Sequence, residues 1–185
     1  MKTPEPSAFL LGFDVGFSSI GIARLGIVAQ GLTFVDATVI QTKKSGKKRE
    51  VRAADDNMRR IEEIALKLSQ WVTDDIVAIC CESQSWPIQK QVCIKIAFTW
   101  GIIGALASLR EIPIIQSSPQ EVKDSLVGNK SASKDDMIKA IRKKFPEVPW
   151  PNATTLHEHM ADAVASGLAC QNHAVIQAVR KMRMR

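Results

Sequence analysis

The chain has 185 residues, 45% of them hydrophobic and 24% charged, with a net charge of +6. That is the make-up of an ordinary soluble globular protein, and its length fits one domain with a real core. The first six residues lack the apolar segment of a secretory signal, and the longest apolar stretch, 96–109, is too short to cross a bilayer, so a cytoplasmic protein without a membrane partner is expected.

The four cysteines (Cys80, Cys81, Cys93 and Cys170) show no CxxC spacing, and two adjoin inside an apolar run. They read as buried thiols in a reducing compartment. The basic charge is clustered. Residues 43–60 hold eight Lys/Arg against three acids, and the last ten residues hold four with no acid. Clusters of this kind suit a polyanion, usually nucleic acid, although a solvated loop and a frayed tail carry charge in the same way.

In chain order, the first forty residues predict three strands, 8–14, 20–29 and 32–41, the last two joined by a tight turn at Gln30-Gly31. A polar loop covers 42–50. Met58, Ile61, Ile64, Ala65, Leu68 and Trp71 recur at helical spacing and predict a helix over 52–72. The run 76–81 has no polar alternation and predicts a strand buried on both faces. A second helix, 88–109, is apolar nearly all round in its later half. It belongs in the core or against a partner subunit. A short strand follows at 112–115.

Three capping boxes then start at Ser118, Ser133 and Thr155 and open three helices. In the last of these, Glu158 is expected to reach back and cap the helix. Strands first, then alternating helices and strands, predict an α/β domain built on a mixed sheet.

Three acids stand out because their neighbours are apolar: Asp14 after Ala8–Phe13, Glu82 after Ile76–Cys81, and Asp162 within His159-Met160-Ala161-Asp162-Ala163. Carboxylates in such settings are usually paired or hold a metal. His159 and Asp162, three residues apart, fall on one helix face. The segment is not a zincin helix, because Ala161 stands where the second histidine would be. Each residue also has an ordinary reading: a turn acid, a surface acid leaving a strand, a solvent-facing helix acid.

Four segments in order resemble the RuvC-type Holliday junction resolvases of the ribonuclease H-like superfamily, over about residues 8–170. They are Leu11-Gly12-Phe13-Asp14-Val15-Gly16, Cys81-Glu82-Ser83, the stretch from Glu121 to Lys134, and His159-Met160-Ala161-Asp162-Ala163. The chain departs from the family pattern at Val15, at Lys130 and at Ser85, where many members carry an aromatic; Trp86 is next to it.

The resemblance implies a ribonuclease H-like fold with a mixed five-stranded sheet flanked by helices. It implies a single nuclease domain with a basic tail over about 174–185. It implies an Mg²⁺-dependent enzyme, Mn²⁺ substituting, that uses two ions to cut four-way junctions and related branched DNA as a homodimer. Asp14, Glu82, His159 and Asp162 would be the metal ligands, with Lys134 completing the catalytic set. Lys123, Lys130 and Lys134, with Lys47, Lys48 and Arg49 of the basic loop, would hold DNA phosphates. Three other readings are a phosphate-binding module of the actin and sugar-kinase type, an RNase H-like nuclease acting on structured RNA, and a junction-binding protein without catalysis.

Overall fold

The structure, a computed structural model, describes residues 6–46, 52–84 and 89–182. Lys47, Lys48 and Arg49, like Ser85 and Trp86, lie outside the described residues. The elements in order are β1 (Phe9–Asp14), β2 (Ser19–Val28), β3 (Gly31–Gln41), α1 (Ala53–Ser69), β4 (Ile76–Glu82), α2 (Lys90–Leu109), β5 (Ile114–Ser117), α3 (Pro119–Val127), α4 (Lys134–Lys144), α5 (His157–Ala169) and α6 (Ala174–Met182).

The five strands form one sheet in the order β3-β2-β1-β4-β5. The β1–β2 and β2–β3 pairs are antiparallel, while β1–β4 and β4–β5 are parallel. The mixed sheet thus has the composition the element order predicted. The last strand starts two residues later than the sequence suggests. Pro113 has no N–H for a ladder; its carbonyl accepts from Ile79, and pairing proper begins at Ile114.

Alternation along the strands sorts the core into two layers. Leu11, Phe13, Ile20, Ile22, Ile79 and Cys81 face α1 and α2. Leu10, Ala23, Leu25, Ala78 and Cys80 face α4, α5 and α6. A small third cluster, Val122, Ala132, Met137 and Ala165, ties α3 and α4 to the outer side of α5. Cys80, Cys81 and Cys170 are buried, and none of the four cysteines is in a disulfide.

Helix α5 sits on the sheet at backbone distance. A Cβ on Gly12 would lie 2.0 Å from the Ala163 carbonyl oxygen, and one on Gly21 would lie 1.9 Å from that of His159. Glycine at these two positions lets the helix touch β1 and β2 directly. Helix α1 buries Asp56, Arg60, Ile64 and Leu68; of the predicted stripe Ile61, Ile64, Leu68 and Trp71 pack on the core, while Met58 is exposed. Helix α2 runs for 20 residues, long and apolar enough by length and composition to cross a membrane. In the fold it lies on the sheet and buries Thr99, Ile103 and Ala107.

Candidate active site

Asp14 is the last residue of β1 and Glu82 the last of β4. The parallel register pairs Phe13 with Cys81, so the two acids follow side by side at the carboxyl ends of neighbouring central strands. Phe13 and Cys81 point toward α1 and α2; alternation therefore turns Asp14 and Glu82 toward α5. Carboxyl ends of central strands are where open α/β sheets bind ligands.

Helix α5 supplies the other half. The Gly21 contact fixes its first turn over β2, and His159 Nδ1–H donates to Asp14 Oδ2 at 2.5 Å. Asp162 lies one turn further on. Burial, then repulsion from Asp14 and Glu82, pushes its carboxyl up from 3.8 to about 7. Burial and then Asp14 raise Glu82, while Lys123 on α3 pulls it down. The hydrogen bond to Asp14 raises His159. Residues 14, 82, 159 and 162 thus come together from three elements and feel one another electrostatically.

Among the described residues, no three of these side chains stand close enough to hold an ion as they are placed. Their chemistry nevertheless fits a divalent cation. Three carboxylates are hard oxygen donors suited to magnesium or manganese, with one imidazole as a borderline donor beside them. Burial first, and then the neighbouring Asp14 and Glu82, disfavour charge on Asp162, and a bound cation would offset this.

Lys134 is the first residue of α4, and its ammonium is hydrogen-bonded to the Glu158 carboxylate. That bond, followed by weaker attraction to Asp162 and Asp14, raises the Lys134 ammonium. Glu158 therefore does not cap α5. A 3-10 turn at 154–156 leads into the helix at His157, and no side chain caps it. The expected third capping box is not formed, because its acid is engaged across to α4. The boxes at Ser118 and Ser133 do form. Lys130 is exposed in the loop between α3 and α4, in electrostatic reach of Glu121.

The basic stretch 43–60 is only partly available to a polyanion. Lys43 and Lys44 are exposed, but Arg59 is bonded to Asp56, Glu63 and the Lys43 carbonyl. Arg60 is 1% exposed. Arg60 therefore serves the interior, while Arg59 stays exposed but is held in ion pairs with Asp56 and Glu63. Sequence reasoning also missed Glu158 as the partner of Lys134; the signal was there in its place beside His159, but the capping pattern offered a simpler use for it.

Known proteins resemble this chain over most of its length. The family model described as crossover junction endodeoxyribonuclease RuvC matches residues 10–170. The relative from Brachyspira hyodysenteriae, a crossover junction endodeoxyribonuclease RuvC, is 26% identical over 162 residues, covering 86% of this chain and 91% of that one. The relative of the same name from Thermotoga maritima is 25% identical over 158 residues, 84% of this chain and 86% of that one. Among solved structures, Thermus thermophilus RuvC in complex with Holliday junction substrate superposes with a TM-score of 0.68 at 19% identity, over 93% of this chain and 96% of that one. The yeast mitochondrial Holliday junction resolvase gives 0.61 at 15%, over 99% and 86%. The two superpositions establish a shared ribonuclease H-like fold.

Proposed function

Because the chain belongs to the RuvC family and is an endodeoxyribonuclease of the junction-resolving kind, we propose that it resolves four-way DNA junctions by paired, metal-dependent phosphodiester hydrolysis. One observation carries this: Asp14, Glu82, His159 and Asp162 meet at the carboxyl edge of the sheet in mutual electrostatic contact.

Asp14, Glu82 and Asp162 would hold the magnesium or manganese ions, and His159 would ligate one ion or orient the attacking water. Two bound divalent ions supply a nucleophilic hydroxide from water and neutralise charge on the phosphorane-like transition state. The chain does the rest. Asp162 and His159 act as ligands only without their protons, and both are raised in the metal-free fold, so ion uptake would favour their proton release. Lys134 is held by Glu158 at the mouth of the acid cluster, within electrostatic reach of Asp14 and Asp162. From there its ammonium can meet the scissile phosphate. Lys123 beside Glu82, and Lys130 in its exposed loop, would steady flanking phosphates without reading sequence.

Two symmetric cuts need two sites, hence a twofold homodimer. The outer face of α2 supports this: Ile94, Ala97, Gly101 and Ala105 form an exposed stripe of small and apolar residues. A single nuclease domain with its basic tail working in the cytoplasm completes the proposal.

The test is cleavage of labelled four-way junction, linear duplex, splayed arms and structured RNA in Mg²⁺ and in EDTA. Paired, Mg²⁺-dependent nicks near the junction centre are expected, with Asp14→Asn at least ~10³-fold slower in keeping with loss of an ion-holding ligand. Full cleavage by Asp14→Asn would overturn the site. RNA cutting with the DNA intact would move the substrate to structured RNA.

A further inference from the structure

Three buried polar side chains have no part in the chemistry above. Thr42 is 4%, Arg60 1% and Thr99 0% exposed. Burying such groups is costly unless hydrogen bonds compensate, so their partners identify what they are for. All three reach one short turn, residues 15–18, which joins β1 to β2 immediately after Asp14.

The bonds come from three directions. From α2, the Thr99 hydroxyl donates to the Gly16 carbonyl at 2.8 Å. From the end of β3, the Thr42 hydroxyl donates to the Phe17 carbonyl at 2.7 Å, and the Thr42 N–H donates to the Ser18 carbonyl at 3.0 Å. From α1, the Arg60 guanidinium donates to Ser18 Oγ at 2.9 Å and Thr42 Oγ1 at 3.0 Å, with longer bonds of 3.4 Å to the Phe17 and Thr42 carbonyls. It also lies 4.1 Å from the centre of the Phe17 ring. The turn has no slack, since a Cβ on Gly16 would lie 2.1 Å from the Ser19 carbonyl oxygen.

A surface turn does not need four donors from the core. This one carries the backbone away from Asp14, whose last sheet pairing is with Gly21. Arg60 is too buried to touch DNA, and its planar fork serves several acceptors at once, which a lysine does not do.

We propose that Arg60 and Thr99, together with Thr42, are positioning residues for Asp14. They act through the Gly16–Ser18 turn and set the carboxylate against Glu82 and α5. The proposal rests on the reading of Asp14 as an ion-holding carboxylate.

The test compares Thr99→Val, which keeps shape and loses the hydroxyl, with Arg60→Lys, Arg60→Met and a core control, Leu68→Ala. Leu68 is fully buried on the same face of α1, two turns beyond Arg60. For each, thermal midpoint, Ca²⁺ and Mg²⁺ affinity by calorimetry without DNA, junction affinity, and single-turnover cleavage at saturating junction are measured. Thr99→Val and Arg60→Met are expected to weaken ion binding roughly 10-fold, the scale on which partners of metal ligands act. Cleavage should slow in proportion and junction affinity should hold. Arg60→Lys should recover part of the loss. Leu68→Ala should lower the thermal midpoint at least as much while keeping ion affinity.

If Thr99→Val and Arg60→Met lower stability alone, or if Leu68→Ala loses ion affinity in step with its midpoint, the positioning role is overturned. Should Arg60→Met not fold, Thr99→Val decides. A wild-type protein that bound neither ion would instead overturn the metal reading of Asp14 itself, and this proposal with it.

Discussion

Helices α2 and α5 are both apolar and lie on opposite faces of one sheet, yet the fold treats them differently. Helix α5 buries Met160, Ala161 and every residue from Ala163 to Leu168, whereas the longer α2 buries three residues. The difference lies in what the sheet offers each face. Beneath α5, Gly12 and Gly21 let helix and strand backbones touch, and α3 and α4 cover its far side. Beneath α2, large side chains such as Phe13 and Ile22 fill the gap, and within the chain nothing among the described residues covers the far side of its exposed stripe. Apolar content alone therefore does not say that α5 is covered within the chain while α2 keeps an exposed stripe.

The strongest way to break the contrast is to exchange the glycine environments. Gly21→Ala puts a methyl group 1.9 Å from the His159 carbonyl oxygen and 2.7 Å from its carbon, helix backbone that cannot swing aside. We expect a loss of about 3 kcal/mol or more, at or beyond the usual range for overpacking. Cleavage should fall over 100-fold even in protein that folds, because about 1 Å of misplacement already costs that much. Gly101→Ala on α2 meets nothing within 4 Å. It should raise subunit stability by about 0.5–1 kcal/mol, the ordinary helix preference. Denaturant titration of both variants measures the two signs.

The second test addresses the uncovered face. Ala97→Glu places a charge in the middle of the exposed α2 stripe. The expected product is a monomer by sedimentation, changed in subunit stability by no more than about 0.5 kcal/mol as for other surface changes. It should nick one strand of a junction in place of two. A dimer that persisted would move the interface to another surface.

Acidity separates the two helices on a smaller scale, since the raised carboxyls, Glu82 and Asp162, lie on the α5 side. Asp162, at about 7 against 3.8 unfolded, favours its protonated form in the fold. Its contribution is present below about pH 4 and lost as pH rises through 7, at most about 4 kcal/mol. Glu82 and His159 are also raised, so they act with the same sign. Metal-free protein should therefore lose stability from pH 5 to pH 8. Asp162→Asn should flatten that slope, and Mg²⁺ should restore stability at pH 8. Melting curves at four pH values, with and without Mg²⁺, would show it. A flat wild-type slope would mean the acids are more solvated than their placement implies.

The sequence made the strands legible because their apolar runs are long and end in glycine or acid. It made the acids legible because a carboxylate ending an apolar strand is chemically conspicuous. It did not reveal that Asp14 and Glu82 stand side by side, since that depends on β1–β4 register across more than sixty residues. Nor did it separate Arg60 from the exposed bases around it. Arg59 and Arg60 are adjacent in sequence, and only the helix phase sends one outward and the other into the core. Gly12 looked like part of a strand; its role appears once α5 is placed on top of it.

The smallest expected effect concerns how α5 starts. Ser118 and Thr155 carry the same capping pattern, but only Ser118 accepts the bond from the residue three along, Glu121, whose carboxylate returns it. Ser118→Ala should cost about 1 kcal/mol, the usual worth of such a cap. Thr155→Ala should cost a few tenths at most, because α5 is located by Gly12, Gly21 and the apolar layer beneath it. Glu158→Gln should likewise leave stability nearly unchanged, since its partner Lys134 is largely exposed and such pairs contribute little, but it should slow cleavage by loosening Lys134. If Thr155→Ala cost as much as Ser118→Ala, the start of α5 would be set by its own first turn, and the backbone contact with β1 and β2 would follow from that turn and not fix it.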